Sequence, residues 1–211
     1  MTRLATLVTL TLILFASALA ATAQTGNLLV NPDAETGDIS GWTDALGNGF
    51  DVYAGQFPPT PVQSGSYSFW GGINGPPAGR SNEIRQDVDV SSFAAAIDAG
   101  AVTASFSGYG RSNSGSGQTD NGRITVEYRN GVGGVLQSYD TGNITPVNTY
   151  VFKQDTRVVP VGTRTIRVRL RGTRSVGSST DAFFDSLSVS LVGVPTATED
   201  ETWGAIKGLY H

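Results

Sequence analysis

The chain contains no cysteine. That excludes disulfides, thiolate metal centres and cysteine nucleophiles. Its only histidine is His211, the last residue, where fraying is expected. Ser-His-Asp catalysis and histidine metal centres need an imidazole fixed by packing, so neither fits. There is no Walker loop, and the glycine-rich stretches lack the strand-to-helix setting of a phosphate cradle. Charge of one sign is also scarce. Fourteen basic against 18 acidic residues leave a net charge of −4, too weak to argue for nucleic acid or an anionic membrane as the main partner. Two carboxylates would suffice for glycoside hydrolysis, but nothing local marks a pair. The expectation is a non-catalytic protein.

Long apolar runs are missing except at the start. Met1-Thr2-Arg3 is a short positive segment, Leu4 to Ala20 is apolar, and Ala21-Thr22-Ala23 offers a small-x-small cleavage pattern. This predicts a signal peptide over 1–23, with Gln24 as the new N-terminus. The alternative, a single transmembrane anchor, would use a run near the short end of the roughly 17–25 residues a span needs. The expected product is secreted, extracellular or cell-surface, with the periplasm also open. An exported chain without disulfides points to a bacterial source, and a bound metal is a common substitute staple.

What is abundant is glycine, 27 residues, alongside nine prolines. Many turns between short strands account for this. Val102, Ala104 and Phe106 alternate with polar neighbours, as do Ile124, Val126 and Tyr128, and again Ile166, Val168 and Leu170. Period two with one apolar face marks half-buried antiparallel strands. Further strands are expected at 28–30, 50–53, 67–70, 83–90, 135–139, 150–159 and 183–191. Asn-Gly turns flank Arg123–Arg129. Ser91–Ile97 reads as a helical turn capped by Ser91 or Ser92. The fold class is therefore all-β, an antiparallel sandwich or jelly roll over 24–192. Residues 193–211 form a linker and a short amphipathic helix. There Trp203, Ile206 and Tyr210 share a face, and Thr198 with Glu201 fits a capping box.

Three motifs bracket this domain. Asn27-Leu28-Leu29-Val30-Asn31-Pro32-Asp33-Ala34-Glu35 opens it, followed by Gly41-Trp42. Ser64-Gly65-Ser66-Tyr67-Ser68-Phe69 stands between. Phe184-Asp185-Ser186-Leu187 closes it. In this order they resemble the galactose-binding-like jelly rolls, above all the CenC-like carbohydrate-binding modules of bacterial polysaccharide and cell-wall enzymes. Residues from Ile84 to Val90 look more like the F-box-associated branch of that superfold. Ala34 departs from the pattern, which usually has phenylalanine there, so another side chain must fill the space.

The resemblance implies that first and last strands lie side by side and share a structural calcium. Glu35 and Asp185 match its side-chain ligands, with Asp33 near and the turn at Ser66 supplying oxygens. Calcium takes about six to eight oxygens, which such a set can begin to provide. The alternative is that Glu35 and Asp185 cap turns or pair with arginine. For a sugar, whose ring faces are apolar and whose rim is hydroxyl, the expected binding residues are Tyr109, Trp70, Arg111, Asn113 and Asp120. The competing reading makes Trp70 and Tyr109 rim or core aromatics and 111–122 a solvated loop. Arg167, Arg169 and Arg171 share one face and serve either ion pairs or an acidic glycan. Taken together, the sequence predicts a secreted module for carbohydrate or a cell-surface polymer, oligomeric state open. The rival is a surface assembly protein that uses a protein interface and sorts through the Trp203 tail.

Overall fold

The computed structural model describes residues 22–54, 62–72, 79–112, 120–145 and 147–195. Residues 1–21 of the expected signal peptide, Asn113 and the Trp203 tail lie outside the described residues.

Eleven strands follow in order: β1 (Thr22–Gln24), β2 (Thr43–Asp44), β3 (Asp51–Ala54), β4 (Tyr67–Trp70), β5 (Ser81–Asp89), β6 (Thr103–Ser112), β7 (Asn121–Asn130), β8 (Val135–Asp140), β9 (Val147–Val158), β10 (Thr163–Thr173) and β11 (Ala182–Pro195). One short helix, α1 (Ala94–Asp98), follows a 3-10 turn at Ser91–Phe93. The front sheet runs β3-β4-β11-β6-β9, with β1 also on β11; the back sheet runs β2-β5-β10-β7-β8. All pairings are antiparallel.

The alternation seen in sequence sets the faces. Ala104 and Phe106 from β6, Ile124, Val126 and Tyr128 from β7, and Ile166, Val168 and Leu170 from β10 all enter one core between the sheets. Each such side chain, fully buried, stabilises by roughly 1.5–3 kcal/mol. Glycines Gly108 and Gly110 sit on the inward face of β6, where an added Cβ would fall 2.6 Å from Leu187 and 2.5 Å from Ile144. Ala34 is buried with φ 62°, and Trp42 packs edge-on against Phe69 at 5.2 Å in the same core. This aromatic pair is part of the core that surrounds the smaller side chain.

Several expectations need correction. Arg111 and Ser112 belong to β6 and not to a loop, because β6 pairs with β11 as far as Ser112. Residues 28–30 form no strand; their segment instead lies along β11, with Leu28 N–H donating to Val189 O at 2.8 Å and Asn27 Oδ1 accepting from Val189 N–H at 3.0 Å. Ser91 does not cap the helical turn; Asp89 Oδ1 accepts the Ser91 N–H at 2.8 Å. β11 continues to Pro195, through the start of the expected linker, and β1 crosses the expected cleavage point.

Candidate functional site

Two faces of the sandwich point outward, and they differ in chemistry. On the front sheet, the outward parity of β6 carries Tyr109 and Arg111. Cross-strand register then places Phe152 of β9 against Tyr109 and Asp185 of β11 on its other side. Phe183 stands opposite both Arg111 and Trp70, and Trp70 opposite Asp51. The result is a row of aromatic and polar side chains running across the sheet.

The contacts confirm one continuous cluster. Phe183 stacks on Trp70 at 6.3 Å, and Tyr53 meets both edge-on at 6.0 and 5.5 Å. The Arg111 guanidinium lies 4.0 Å from the Phe183 ring centre and 5.2 Å from that of Tyr150. Guanidinium planes stack on aromatic faces because the ring quadrupole attracts the cation. Tyr109 and Phe152 form a second ring pair at 5.0 Å, and Phe152 is 47% exposed. Neither Trp70 nor Phe183 belongs to the main core cluster, although both are buried.

Arg111 is 1% exposed, yet among the described residues its Nε and Nη1 groups have no hydrogen-bond partner, and neither does Nε1 of Trp70. Buried donors without acceptors cost roughly 1–3 kcal/mol each. Burial pushes the Tyr150 phenol up, with Ser68 and Arg111 beside it working the other way.

Asp120 is not part of this face. It is buried at the end of the sandwich, where its carboxylate accepts the Ser175 N–H at 2.6 Å and the Asp181 N–H at 2.9 Å, and its carbonyl accepts the Ser112 hydroxyl. A carboxylate facing those inward N–H groups holds a loop. Burial raises the pKa of Asp181, with the Asp120 charge adding to the shift and the Ser179 hydroxyl opposing it. Asn113 lies outside the described residues. Of the residues expected to bind sugar, Trp70, Tyr109 and Arg111 lie on this face, together with Phe152, Phe183, Tyr150 and Tyr53, which the sequence reading did not name. The shared parity of Tyr150 and Phe152 in β9 was the signal for two of them.

Glu35 and Asp185 grip one turn. Asp185 Oδ2 accepts the N–H groups of Gln63 (3.0 Å) and Ser64 (3.1 Å), while Glu35 Oε1 accepts those of Ser66 (2.8 Å) and Tyr67 (2.9 Å). Gly65 leaves the space Glu35 occupies, since a Cβ there would lie 2.3 Å from Oε1. Asp33 accepts the Glu35 N–H at 3.4 Å. Among the described residues no arginine or lysine bonds Asp185, and burial pushes its carboxyl up to about 6 against the N–H groups of Ser64, Ser186 and Gln63. Among the described residues no three acidic or histidine side chains gather as a metal cluster. Both carboxylates are thus engaged by backbone N–H groups of the same turn, which ties the opening segment to β11.

The outward arginines of the back sheet are paired. Arg167 forks onto Asp87, Arg169 bridges Glu83 and Glu127, and Arg171 reaches Glu83.

No protein-family model matches the chain, and no curated protein matches it. Solved structures do. The enzymatically active domain of bacteriophage CBA120 tailspike protein 4 is 16% identical over 77% of this chain, with a TM-score of 0.56; the match spans only 21% of that chain. A family 61 carbohydrate-binding module solved with β-1,4-galactotriose is 19% identical over 78% of this chain and 98% of its own, with a TM-score of 0.50. A cyclase from Fischerella sp. TAU is 10% identical over 82% of this chain and 100% of its own, with a TM-score of 0.59. Modules of families 16 and 22 share the same architecture. The chain thus shares an antiparallel β-sandwich fold with these carbohydrate-binding modules and with the cyclase. No helix among the described residues is long and apolar enough to cross a membrane.

Proposed function

We propose that this chain is a secreted, non-catalytic binding module whose front face holds carbohydrate. One observation carries the reading: Arg111, buried on an outward face between Phe183 and Tyr150, keeps two donor groups without acceptors among the described residues. A hydroxyl-rich ligand supplies acceptors, and the half-buried Tyr109 beside exposed Phe152 offers a platform for the apolar side of a sugar ring. Small-molecule sites combine apolar surface with a few oriented polar groups in this way. The solved modules of the same fold support the reading, one of them with galactotriose bound.

Calcium, in this proposal, is held by Glu35 and Asp185 with oxygens from Asp33 and the turn at Ser66. It would neutralise two carboxylates and tie the opening segment to β11, with no part in chemistry.

Calorimetric titration and affinity electrophoresis against galactan, xylan and other polysaccharides test the reading. Tyr109→Ala and Phe152→Ala are expected to weaken binding of the retained polymer at least tenfold without lowering the melting temperature much. Failure to bind any polysaccharide, or turnover of the bound one, would sink it.

A further inference from the structure

The outward face of the back sheet holds a hollow of about 240 Å³, lined by Glu83, Arg123, Thr125, Asp140, Arg169 and Arg171. It lies on the opposite sheet from the Arg111 cluster and does not depend on that reading. Its centre is a cross-strand pair of like charges. Arg171 of β10 stands directly opposite Arg123 of β7. Such pairs are destabilising unless something negative lies between or beside them.

Each guanidinium is drawn to a carboxylate on the strand farther out. Arg123 forks onto Asp140 of β8 through Nε and Nη2, at 2.7 and 2.6 Å. Arg171 uses Nε alone, donating to Glu83 of β5 at 2.9 Å. Glu83 also takes two bonds of Arg169, at 2.8 Å each, so one carboxylate serves two cations, while the third Arg169 bond, from Nη1 at 2.7 Å, goes to Glu127 outside the hollow. Three guanidinium groups therefore line the hollow against two carboxylates, in a chain whose overall charge is −4. The two Nη groups of Arg171 donate to nothing among the described residues. These are charge-assisted donors of the kind that bind carboxylates in pairs.

We infer that this hollow is a second binding site, for a hexuronate unit of an acidic polysaccharide. The sugar carboxylate lies between Arg123 and Arg171 and relieves their repulsion. The ring hydroxyls reach Asp140, Glu83 and Thr125. A ligand of pure charge would use only the arginines; the mixed donor and acceptor lining fits an anion carried on a hydroxylated ring. The volume is below the roughly 300–1,000 Å³ of drug-sized sites, consistent with a single sugar unit.

The test is titration of the full chain with oligogalacturonate, its neutral methyl ester, and inorganic phosphate. Oligogalacturonate should bind, and added salt should weaken it because both partners are charged and partly exposed. Arg171→Gln and Arg123→Gln should each reduce its affinity at least tenfold. Thr125→Trp fills the hollow without changing charge and should abolish binding, which covers the case of an arginine variant that folds poorly. Tyr109→Ala should leave uronate binding intact. The inference falls if oligogalacturonate does not bind, if Thr125→Trp binds normally, or if the methyl ester or phosphate binds equally well. Loss of uronate binding in Tyr109→Ala would also overturn it and assign the acidic sugar to the front face.

Discussion

On the proposed reading, Arg111 sets folding against binding at a single residue. Its aliphatic stem and planar head pack well between Phe183 and Tyr150, but its Nε and Nη1 groups are buried without acceptors. Arg111→Met keeps much of the volume and removes those donors. Thermal melting should show the variant to be as stable as the parent or more so, by up to about 2 kcal/mol, while titration shows sugar binding lost. Asp120 behaves oppositely. Asp120→Ala removes the carboxylate that accepts the N–H groups of Ser175 and Asp181 and should destabilise by about 2–4 kcal/mol, with binding by the surviving folded fraction unchanged. The sequence did not separate these two residues. Both stood beside a polar, glycine-rich stretch, and only the pairing of β6 with β11 shows that Arg111 faces the aromatic cluster. Phe183 and Phe184 make the same point. Adjacent aromatics in a strand must point opposite ways, yet nothing in their identity says that Phe184 enters the core and Phe183 the outer cluster.

At the level of strands, period-two alternation was enough to place β6, β7 and β10, because each has one apolar and one polar face. It was weaker where both faces are occupied, as in β9 and β11, and silent for the two-residue β2, whose pairing with β5 is purely tertiary. Backbone approaches were also invisible. Gly72 has φ +95°, and a Cβ there would lie 2.0 Å from the carbonyl oxygen of Gly49. Gly72→Ala must move backbone as well as adopt an unfavourable dihedral, so it should cost more than about 1 kcal/mol. Differential scanning calorimetry should record a drop of several degrees, at roughly 2–4 °C per kcal/mol for a domain of this size. The back sheet carries the pH response. The bond from Arg167 holds Asp87 below the usual carboxylate range. Glu127 is also lowered: burial alone would raise it, but bonds from Arg169 and Arg129 outweigh that. Because the folded values are the depressed ones, this stability is complete above the unfolded pKa near 4 and lost as pH falls through the folded values. Melting temperature should therefore decline below about pH 4, and Arg167→Gln should flatten part of that decline.

For the molecule as a whole, Asp185 has the opposite sign. Its folded pKa is raised to about 6, so protonation below that value favours the fold in calcium-free buffer. A cation competes for the same oxygens, since its ligands must be deprotonated. Calcium should raise the melting temperature at neutral pH, raise it less as pH drops below about 6, and not raise it in Asp185→Ala. Melting curves at pH 7.5 and 5, with and without calcium, check all three. The closing of the sandwich was legible because the opening and final motifs both carried a carboxylate. That the two meet through the N–H groups of residues 63–67 was not, because main-chain donors leave no mark in side-chain identity.

Where residues 22 and 23 are retained, the antiparallel contact between β1 and β11 aligns Thr22 with Pro195. Tension applied outward through those two positions would open the ladder from its end, one rung after another, instead of loading every rung together. A tethered copy of the domain should thus yield first at this seam under modest force. A covalent link joining residues 22 and 195, with new termini cut elsewhere, should remove that weak point and leave both outward faces unaltered.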